Sequence, residues 1–356
     1  FTAVFWPALH PEVFAGWGGT ITFPQPIGPI VVGVSPQRLL AIALVAVLTA
    51  VNVRGVRTAT IIQTTFTAIK AASLAALILL GITIGRHTGA IAANFSGHFV
   101  DTDGASVGLT AIGAAMVGSL FSMDAWNNVG FAGGEMKDPK RDLPFAMTMG
   151  VLIVTVLYLL ANVAYLNVLP ATAITTAPQD RVGTAALEAI LGTPGRYIMA
   201  AAIMVSTFGC NNGLILSGAR VYYAMARDNL FFHAAGRLHR RFRTPSVALV
   251  VQAIWTSLLC LSGTYTQLLN FVIFAAIVFY LLTTVGLFAL RAKRPGAERP
   301  LAAPGYPWLP AAYVVLTGLI AVALLVEHTT RTYAGLGLLL VLLGVPVYYV
   351  WRRMVR

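Results

Sequence analysis

The chain has 356 residues, of which 58% are hydrophobic and only 10% are charged, and its formal net charge is +12. An average soluble domain has about a quarter charged residues, so a soluble globular protein is excluded and lipid is expected around most of the surface. The basic residues lie between apolar runs, which indicates membrane orientation and not binding to nucleic acid.

Nine segments are predicted to be membrane-spanning helices, because a span needs about 20 mainly apolar residues to cross about 30 Å of hydrocarbon. In chain order they are 37–53, 60–84, 108–134, 145–168, 196–219, 245–262, 267–290, 308–326 and 333–350. Prolines such as Pro139, Pro144 and Pro307 stand in the predicted connections. We therefore predict an all-α polytopic membrane protein in which residues 1–356 form a single transmembrane domain.

Lysine and arginine residues are distributed unequally between the connections. Most of the 24 follow the first, third, fifth, seventh and ninth predicted spans. The positive-inside rule places that side in the cytoplasm, so we expect a cytoplasmic C-terminus in the plasma (inner) membrane. The opening residues FTAVFW are similar to the tail of an apolar span, and we expect the natural protein to begin upstream of them.

Lys70 is the most unusual residue of the second predicted span. It stands roughly ten residues from either end of the span, which places it near the bilayer centre. A lysine there costs about 2.5–3.5 kcal/mol on insertion scales, so Lys70 is expected to face the helix bundle and meet a partner. Two interpretations remain open: a surrogate for a bound ion or proton-linked switch, and a structural cation held by backbone carbonyls.

The third predicted span combines mid-depth polar residues with glycines, namely Asp124, Asn127, Asn128, Gly130, Gly133 and Gly134. Glycine weakens a helix by about 1 kcal/mol per residue relative to alanine, so the pattern predicts unwinding. Unwound backbone in a bilayer is tolerated only against protein or a water-filled cavity, and broken helices form substrate sites in secondary transporters. The alternative is a kinked helix whose polar side chains bond neighbouring helices.

The fifth predicted span contains a polar cluster of Ser206, Thr207, Asn211 and Asn212 beside Gly209 and Gly213. Small residues let helices approach closely, and amides can form hydrogen bonds between them. The cluster therefore predicts either contacts between helices or contacts with a substrate or ion.

Enzyme and metal signatures are missing from the sequence, which has no GxxxxGK[ST], HExxH or paired cysteine motif. All six histidines fall in connections or at span edges. The sequence therefore predicts no enzyme, no cofactor and no metal site.

Four segments resemble one family of membrane transporters. Residues 126–144, WNNVGFAGGEMKDPKRDLP, resemble the sixth helix and following loop of the amino acid–polyamine–organocation superfamily, and especially its L-type amino acid transporter group and bacterial relatives. Residues 39–81 resemble its fourth and fifth helices, residues 205–229 its eighth, and residues 290–300 the loop beyond its tenth. The resemblance implies an inverted five-helix-repeat transporter fold, N-terminally incomplete here by the first two helices and most of the third.

The resemblance also implies roles for individual residues. Phe121 would cover the bound substrate, and the carbonyls of Phe121 and Asp124 would receive its amine. Asn127 and Phe274 would line the pocket. The chain departs from the L-type pattern at Ala276, where a polar residue is frequent, and at Asp124, which replaces a glycine of some members.

A second set of residues corresponds to the family's ion site. Lys70 matches a lysine that occupies the place of a sodium ion in sodium-coupled relatives. Ser206 and Thr207 would lie nearby on the eighth helix. The resemblance therefore implies transport that is independent of sodium.

These patterns together predict a secondary transporter that carries amino acids by alternating access, by exchange or by proton coupling, with neutral substrates favoured. Its expected partners are the amino acid substrate and the lipid bilayer, with no nucleic acid; the sequence does not determine an accessory subunit. The alternatives are a polyamine or cationic amino acid carrier, which an essential Asp124 would favour, and a truncated membrane protein without transport activity. A channel or membrane-embedded enzyme lacks support, because neither pore-lining polar stripes nor converging catalytic groups are found.

Overall fold

The computed structural model describes residues 1–9, 12, 14, 17–22, 29–95, 109–131, 133–178, 181–261, 265–299, 303–327 and 330–355. Their regular structure is almost entirely helical. The helices are α1 (Thr2–Phe5), α2 (Pro36–Val53), α3 (Val56–Ile82), α4 (Thr88–Phe95), α5 (Leu109–Ser122), α6 (Asn128–Phe131), α7 (Pro139–Val168), α8 (Ala171–Thr175), α9 (Val182–Leu191), α10 (Thr193–Arg227), α11 (Ser246–Cys260), α12 (Tyr265–Lys293), α13 (Trp308–Val326) and α14 (Arg331–Val355). Two strands, β1 (Gly18–Thr22) and β2 (Pro29–Gly33), pair into a small sheet, and 3₁₀ helices cover Gly133–Glu135 and His233–Gly236.

Seven helices within the described residues are long and apolar enough to cross a membrane, and they are α2, α3, α7, α10, α12, α13 and α14. Each contains an 18-residue window with at most two charged residues. The protein is therefore an integral membrane protein of the predicted all-α polytopic class.

The other two predicted spans correspond to shorter helices. The segment predicted at 108–134 contains α5, which stops after 14 residues, and the segment at 245–262 contains α11, which has 15. Several boundaries also differ from the prediction, and the largest differences are in α7 and α10. Helix α7 begins at Pro139 and includes Pro144, and α10 continues past residue 219 to Arg227. Pro139 fits the first helical position, and Pro144 removes one backbone donor without ending so long a helix.

The chain divides into two compact units. The first comprises Phe1–Gly18, Gly33–Phe99 and Thr148–Leu261, and the second comprises Gly19–Val32, Val100–Met147 and Ser262–Arg356. Lys70, Ser206 and Thr207 belong to the first unit, whereas Phe121, Asp124, Asn127 and Phe274 belong to the second.

Helix α10 is the centre of the first unit, where it packs against α2, α3, α9 and α11. The core of this unit joins the large side chains of Leu48, Ile215 and Leu249 to small ones, which are Ala219, Ala226, Ala235 and Ala248. Alanines at these positions let the helix backbones approach closely.

Helix α12 has the corresponding place in the second unit, where it packs against α5, α13 and α14. Its residues Ile273, Phe274 and Ile277 form a buried cluster with Leu324 of α13 and Ala334 of α14. Positions 273, 274 and 277 lie on one face of the helix, because residues three and four apart are neighbours on a helix surface.

The outer surface of the long helices is apolar. Leu159, Leu316 and Leu340 are more than 60% exposed, although each lies well inside a long apolar helix. Side chains of this kind need lipid around them, which agrees with the membrane assignment.

Candidate substrate site

The interruption between α5 and α6 is the first feature of the candidate site in the second unit. Helix α5 ends at Ser122, residues 123–127 form consecutive turns, and α6 starts at Asn128. The sequence predicts unwinding in this stretch, and the break lies at Asp124 and Asn127, ahead of the three glycines. Short polar side chains compete with the helix for backbone hydrogen bonds, which explains a break at these residues.

Backbone groups in the break are only partly paired. The N–H of Asp124 donates to the carbonyl of Phe121 at 3.1 Å, and the N–H of Asn128 donates to that of Ala125 at 3.1 Å. Ala125 has a positive φ of 65°, a left-handed conformation that residues other than glycine seldom adopt. Within the described part of the chain, the carbonyl of Asp124 accepts no backbone hydrogen bond. Of the two carbonyls expected to receive an amine, that of Asp124 is therefore the freer.

The side chain of Asp124 is bound by a residue that the sequence reasoning did not single out. The hydroxyl of Tyr280 on α12 donates to Asp124 Oδ1, and the Tyr280 ring lies 5.8 Å from that of Trp126, centroid to centroid. Tyr280 is half-buried, and the hydrogen bond of its hydroxyl holds the interrupted segment against α12.

A pocket opens beside this pair, with about 630 Å³ of empty space including its open part. Its walls come from α5, α12 and α13, and its lining residues are Leu120, Asp124, Ile273, Ala276, Ile277, Tyr280, Tyr313, Leu316, Thr317 and Ile320. The lining is mostly apolar, with one carboxylate and three hydroxyl groups. An apolar pocket with a few polar groups is the usual form of a small-molecule site.

The spacing of residues on α12 contains a signal for Tyr280. Ile273, Ala276, Ile277 and Tyr280 follow each other at intervals of three and four, so they share one helix face. Ala276 is the position on this face at which the sequence departs from the L-type pattern. Tyr280 lies one turn further along the same face.

Phe121, Asn127 and Phe274 do not line this pocket among the described residues. The side chain of Phe121 is 39% exposed, whereas Phe274 is only 2% exposed and belongs to the core between α12, α13 and α14. Asn127 is half-buried in the break. Their assignment to the substrate pocket stays a prediction.

In the first unit, Lys70 on α3 contacts α10. Its Nζ lies 3.5 Å from Sγ of Cys210, and it has no carboxylate partner in the described part of the chain. Ser206 is half-buried one turn before Cys210, and the hydroxyl of Thr207 donates to the carbonyl of Ile203 in its own helix at 2.8 Å. Lys70 and the Ser206–Thr207 pair thus belong to the packed helices α3 and α10, and their role at an ion site stays a prediction.

Asn212 explains much of the polar cluster on α10. This fully buried amide donates to the carbonyl of Ala59 at 3.0 Å and to Oε1 of Gln63 at 3.1 Å, both on α3. It accepts a hydrogen bond of 3.0 Å from Nδ2 of Asn52 on α2. The amide therefore joins three helices. This agrees with the interpretation of the polar cluster as contacts between helices.

Gly209 permits the close approach of α3 that this network needs. A Cβ atom at this position would lie 2.7 Å from Cβ of Phe66, a distance at which the helices would have to move apart. The glycines of this cluster are therefore packing residues.

Among the described residues, no three His, Cys, Asp or Glu side chains lie close enough together to hold a metal ion. The polar groups of the candidate site in the second unit are the backbone carbonyls of the break, the hydroxyls of the pocket lining and the carboxylate of Asp124. This set is suited to holding an amine or a carboxylate by hydrogen bonds.

A known protein family matches most of the chain. A family model described as amino acid permease matches residues 1–345. The chain belongs to the amino acid permease family. This membership confirms the resemblance to the amino acid–polyamine–organocation superfamily, and it places the permease in a family of transporters and not of enzymes.

Three individual proteins are similar in sequence to the permease over most of its length. It is 32% identical to the serine/threonine exchanger SteT of Bacillus subtilis, over 88% of the chain and 69% of that protein. It is 32% identical to the large neutral amino acids transporter small subunit 2 of Homo sapiens, over 88% of the chain and 57% of that protein. It is 28% identical to the b(0,+)-type amino acid transporter 1 of Homo sapiens, over 91% of the chain and 65% of that protein. The chain thus spans between 57% and 69% of the length of these relatives.

Proposed function

We propose that the permease carries amino acids across the membrane by alternating access, with the break at residues 123–127 as part of the substrate site. The observation that carries this proposal is that the carbonyl of Asp124 accepts no backbone hydrogen bond from the described residues, while Asp124 itself lines a mostly apolar pocket. A backbone carbonyl suits the ammonium group of an amino acid, and the apolar walls suit its side chain.

The favoured substrate is a neutral amino acid. Most of the pocket is apolar, and the carboxylate of Asp124 already accepts a hydrogen bond from Tyr280. The names of two relatives, a serine/threonine exchanger and a transporter of large neutral amino acids, agree with this choice. A cationic amino acid or polyamine carrier is the second candidate, because Asp124 supplies a negative charge within the pocket lining.

We further propose exchange that is independent of sodium, in the plasma (inner) membrane with a cytoplasmic C-terminus. Lys70 supplies a fixed positive charge between α3 and α10, where its partner is a thiol and not a carboxylate. The lysine ammonium would take the place of a bound metal cation there. The Bacillus subtilis relative is named as an exchanger, which supports exchange over proton coupling.

The proposal is tested by counterflow of radiolabelled amino acids into proteoliposomes. We expect labelled serine or leucine to enter only vesicles preloaded with an unlabelled amino acid, at the same rate with sodium or choline outside. Acceleration by an inward proton gradient in unloaded vesicles would replace exchange by proton coupling. Uptake restricted to arginine or putrescine would favour the second candidate, and no uptake of any amino acid would overturn the proposed function.

Lys70→Ala gives a direct test of the ion-site assignment in the same vesicles. We expect transport to be abolished or uncoupled while expression stays close to that of the unchanged protein, because the fixed cation is lost. Lys140→Ala is the matched control, since Lys140 forms an exposed ion pair with Glu298 and is expected to be dispensable. Unchanged transport and coupling in Lys70→Ala would reduce Lys70 to a structural cation.

A further inference from the structure

The connection between α10 and α11 contains the most basic segment of the chain. Residues 237–243, RLHRRFR, contain four arginines and a histidine, and we call this segment the arginine turn. The four arginine side chains are exposed. None of them forms an ion pair with a carboxylate in the described part of the chain, and the acidic residue of the same connection, Asp228, lies ahead of the 3₁₀ helix His233–Gly236.

The backbone of the arginine turn is fixed by its own hydrogen bonds. Nδ1 of His239 accepts from the N–H groups of Arg241 and Phe242, both at 3.2 Å. The N–H of Arg243 donates to the carbonyl of His239 at 2.9 Å, and Arg243 has a positive φ of 57°. Four guanidinium groups are therefore presented from a defined turn.

The arginine turn is also fastened to the ends of membrane helices. Thr244, only 1% exposed, donates through its hydroxyl to the carbonyl of Val53 at the end of α2, at 2.8 Å. The exposed Arg54 follows directly in the chain. Just before the turn, Ala235 packs in the core with Ala226 of α10 and Ala248 of α11. The basic groups thus lie where three helices leave the apolar region, which is the depth of lipid headgroups.

Apolar side chains accompany the charges. Leu238 within the turn is 43% exposed, and Phe232 earlier in the same connection is 58% exposed. The ring of Phe242 stacks on that of His239 at 4.9 Å. Arginines mixed with exposed apolar side chains fit a membrane surface, because apolar groups find acyl chains there while guanidinium groups meet phosphates.

We propose that the arginine turn, together with Arg54, binds the phosphate headgroups of anionic lipids in the surrounding membrane. Guanidinium groups bind phosphate oxygens through two parallel N–H donors, and several of them on one turn favour a headgroup with a net negative charge. A zwitterionic lipid carries a compensating ammonium group and gains less from the same site.

The proposal is tested with the protein in neutral detergent, by native mass spectrometry during titration with dioleoylphosphatidylglycerol or dioleoylphosphatidylcholine. We expect phosphatidylglycerol to bind more tightly, and the fourfold variant R237Q/R240Q/R241Q/R243Q to weaken that binding by roughly tenfold or more while leaving phosphatidylcholine unaffected. The preference is expected to shrink as salt is raised, because exposed charges are screened.

A matched control removes the same charge elsewhere. The variant K293Q/R294Q/R352Q/R353Q is expected to weaken phosphatidylglycerol binding by less than about twofold, because its exposed groups are dispersed over two helix ends. A variant with lysine at the four turn positions keeps the charge but loses the paired guanidinium donors, so its binding of phosphatidylglycerol is expected to fall between that of the unchanged protein and that of the glutamine variant. If the fourfold glutamine variant does not fold, the pair R240Q/R241Q, which changes two exposed side chains, provides the measurement.

Two outcomes would overturn the proposal. Equal losses in the turn variant and the dispersed control would reduce the effect to general attraction by net charge. Displacement of the lipid by inorganic phosphate at an equal concentration would assign the site to a soluble phosphate ligand in place of a membrane lipid.

Discussion

Tyr280 and Asp124 form the one side-chain hydrogen bond that the described residues show between the helix break and α12. The hydroxyl of Tyr280 donates to the carboxylate of Asp124, which lies in the irregular segment 123–127. A hydrogen bond to a charged group contributes about 1.5–3 kcal/mol, enough to hold the short irregular segment in one conformation.

Removing this hydroxyl is expected to disturb the site without disturbing its shape. Tyr280→Phe keeps the ring beside Trp126 but leaves Asp124 without its donor, so we expect the rate of counterflow to fall about tenfold or the KM to rise by a similar factor. The measurement is the separate determination of KM and maximal rate in proteoliposomes. Tyr313→Phe is the control, because Tyr313 lines the same pocket, and equal behaviour of the two variants would contradict the role of Tyr280.

Phe121 and Phe274 are expected to differ in what their loss changes. Phe274→Ala removes a ring that is 2% exposed in the core of the second unit, so we expect a loss of about 3–5 kcal/mol of stability. Phe121→Ala removes a 39% exposed ring and is expected to leave stability nearly unchanged while weakening substrate affinity or translocation more than Phe274→Leu, which keeps most of the core volume.

Thermal unfolding in detergent and counterflow on the same preparations separate these two effects. A stable Phe274→Ala variant would contradict the core assignment. Equal and negligible losses of transport in Phe121→Ala and Phe274→Leu would remove both residues from the substrate pocket.

At the scale of helices, Asn212 determines how α2, α3 and α10 fit together. Its amide bonds to Asn52, Ala59 and Gln63, on two other helices, and it has no exposed surface. Buried amides between membrane helices contribute about 0.6–2 kcal/mol each, and partners left unpaired cost more.

The neighbouring asparagine makes this contribution measurable. Asn212→Ala is expected to lower the free energy of unfolding by about 1–2 kcal/mol, seen as a lower melting temperature in detergent. Asn211→Ala is the matched control, because the half-buried Asn211 has no side-chain hydrogen bond in the described part of the chain. Equal melting temperatures for the two variants would show that the network contributes nothing measurable to stability.

The helices were largely predictable from the sequence, and their exact limits were not. Apolar length identifies the seven long helices, because hydrophobic thickness sets a minimum run of residues. The continuation of α7 back to Pro139 and of α10 on to Arg227 passes through charged residues, which end a predicted apolar span without ending the helix. The break was predictable as an event from Asp124, Asn127 and the glycines, but its place depends on local hydrogen bonds.

The residues of the candidate site and of the helix contacts were likewise predictable only in part. Asn212 carried a sequence signal, since two adjacent asparagines in an apolar helix need partners. Tyr280 carried only a weak one, because a tyrosine in an apolar run is common and its partner in the break, Asp124, is distant in sequence. Pairing between helices is decided by packing in three dimensions, which a single sequence does not contain.

For the whole molecule, the distribution of basic residues predicts its orientation. We expect green fluorescent protein fused after Arg356 to be fluorescent and alkaline phosphatase fused there to be inactive, because the C-terminus is predicted to be cytoplasmic. Fusions within 171–177, on the opposite predicted side, should give the reverse pattern. Active phosphatase at both positions would contradict the alternation of nine spans, whereas reversed results at both would keep the spans and invert the orientation.

The network around Asn212 also has a mechanical consequence for any transport cycle. Sliding α10 past α2 or α3 would break hydrogen bonds that neither lipid nor water can replace at that depth. These three helices are therefore expected to keep their mutual spacing and to move as one rigid body during the transport cycle. Conformational change would then be concentrated in segments whose backbone is already irregular. Among the described residues, 123–127 are the clearest such segment.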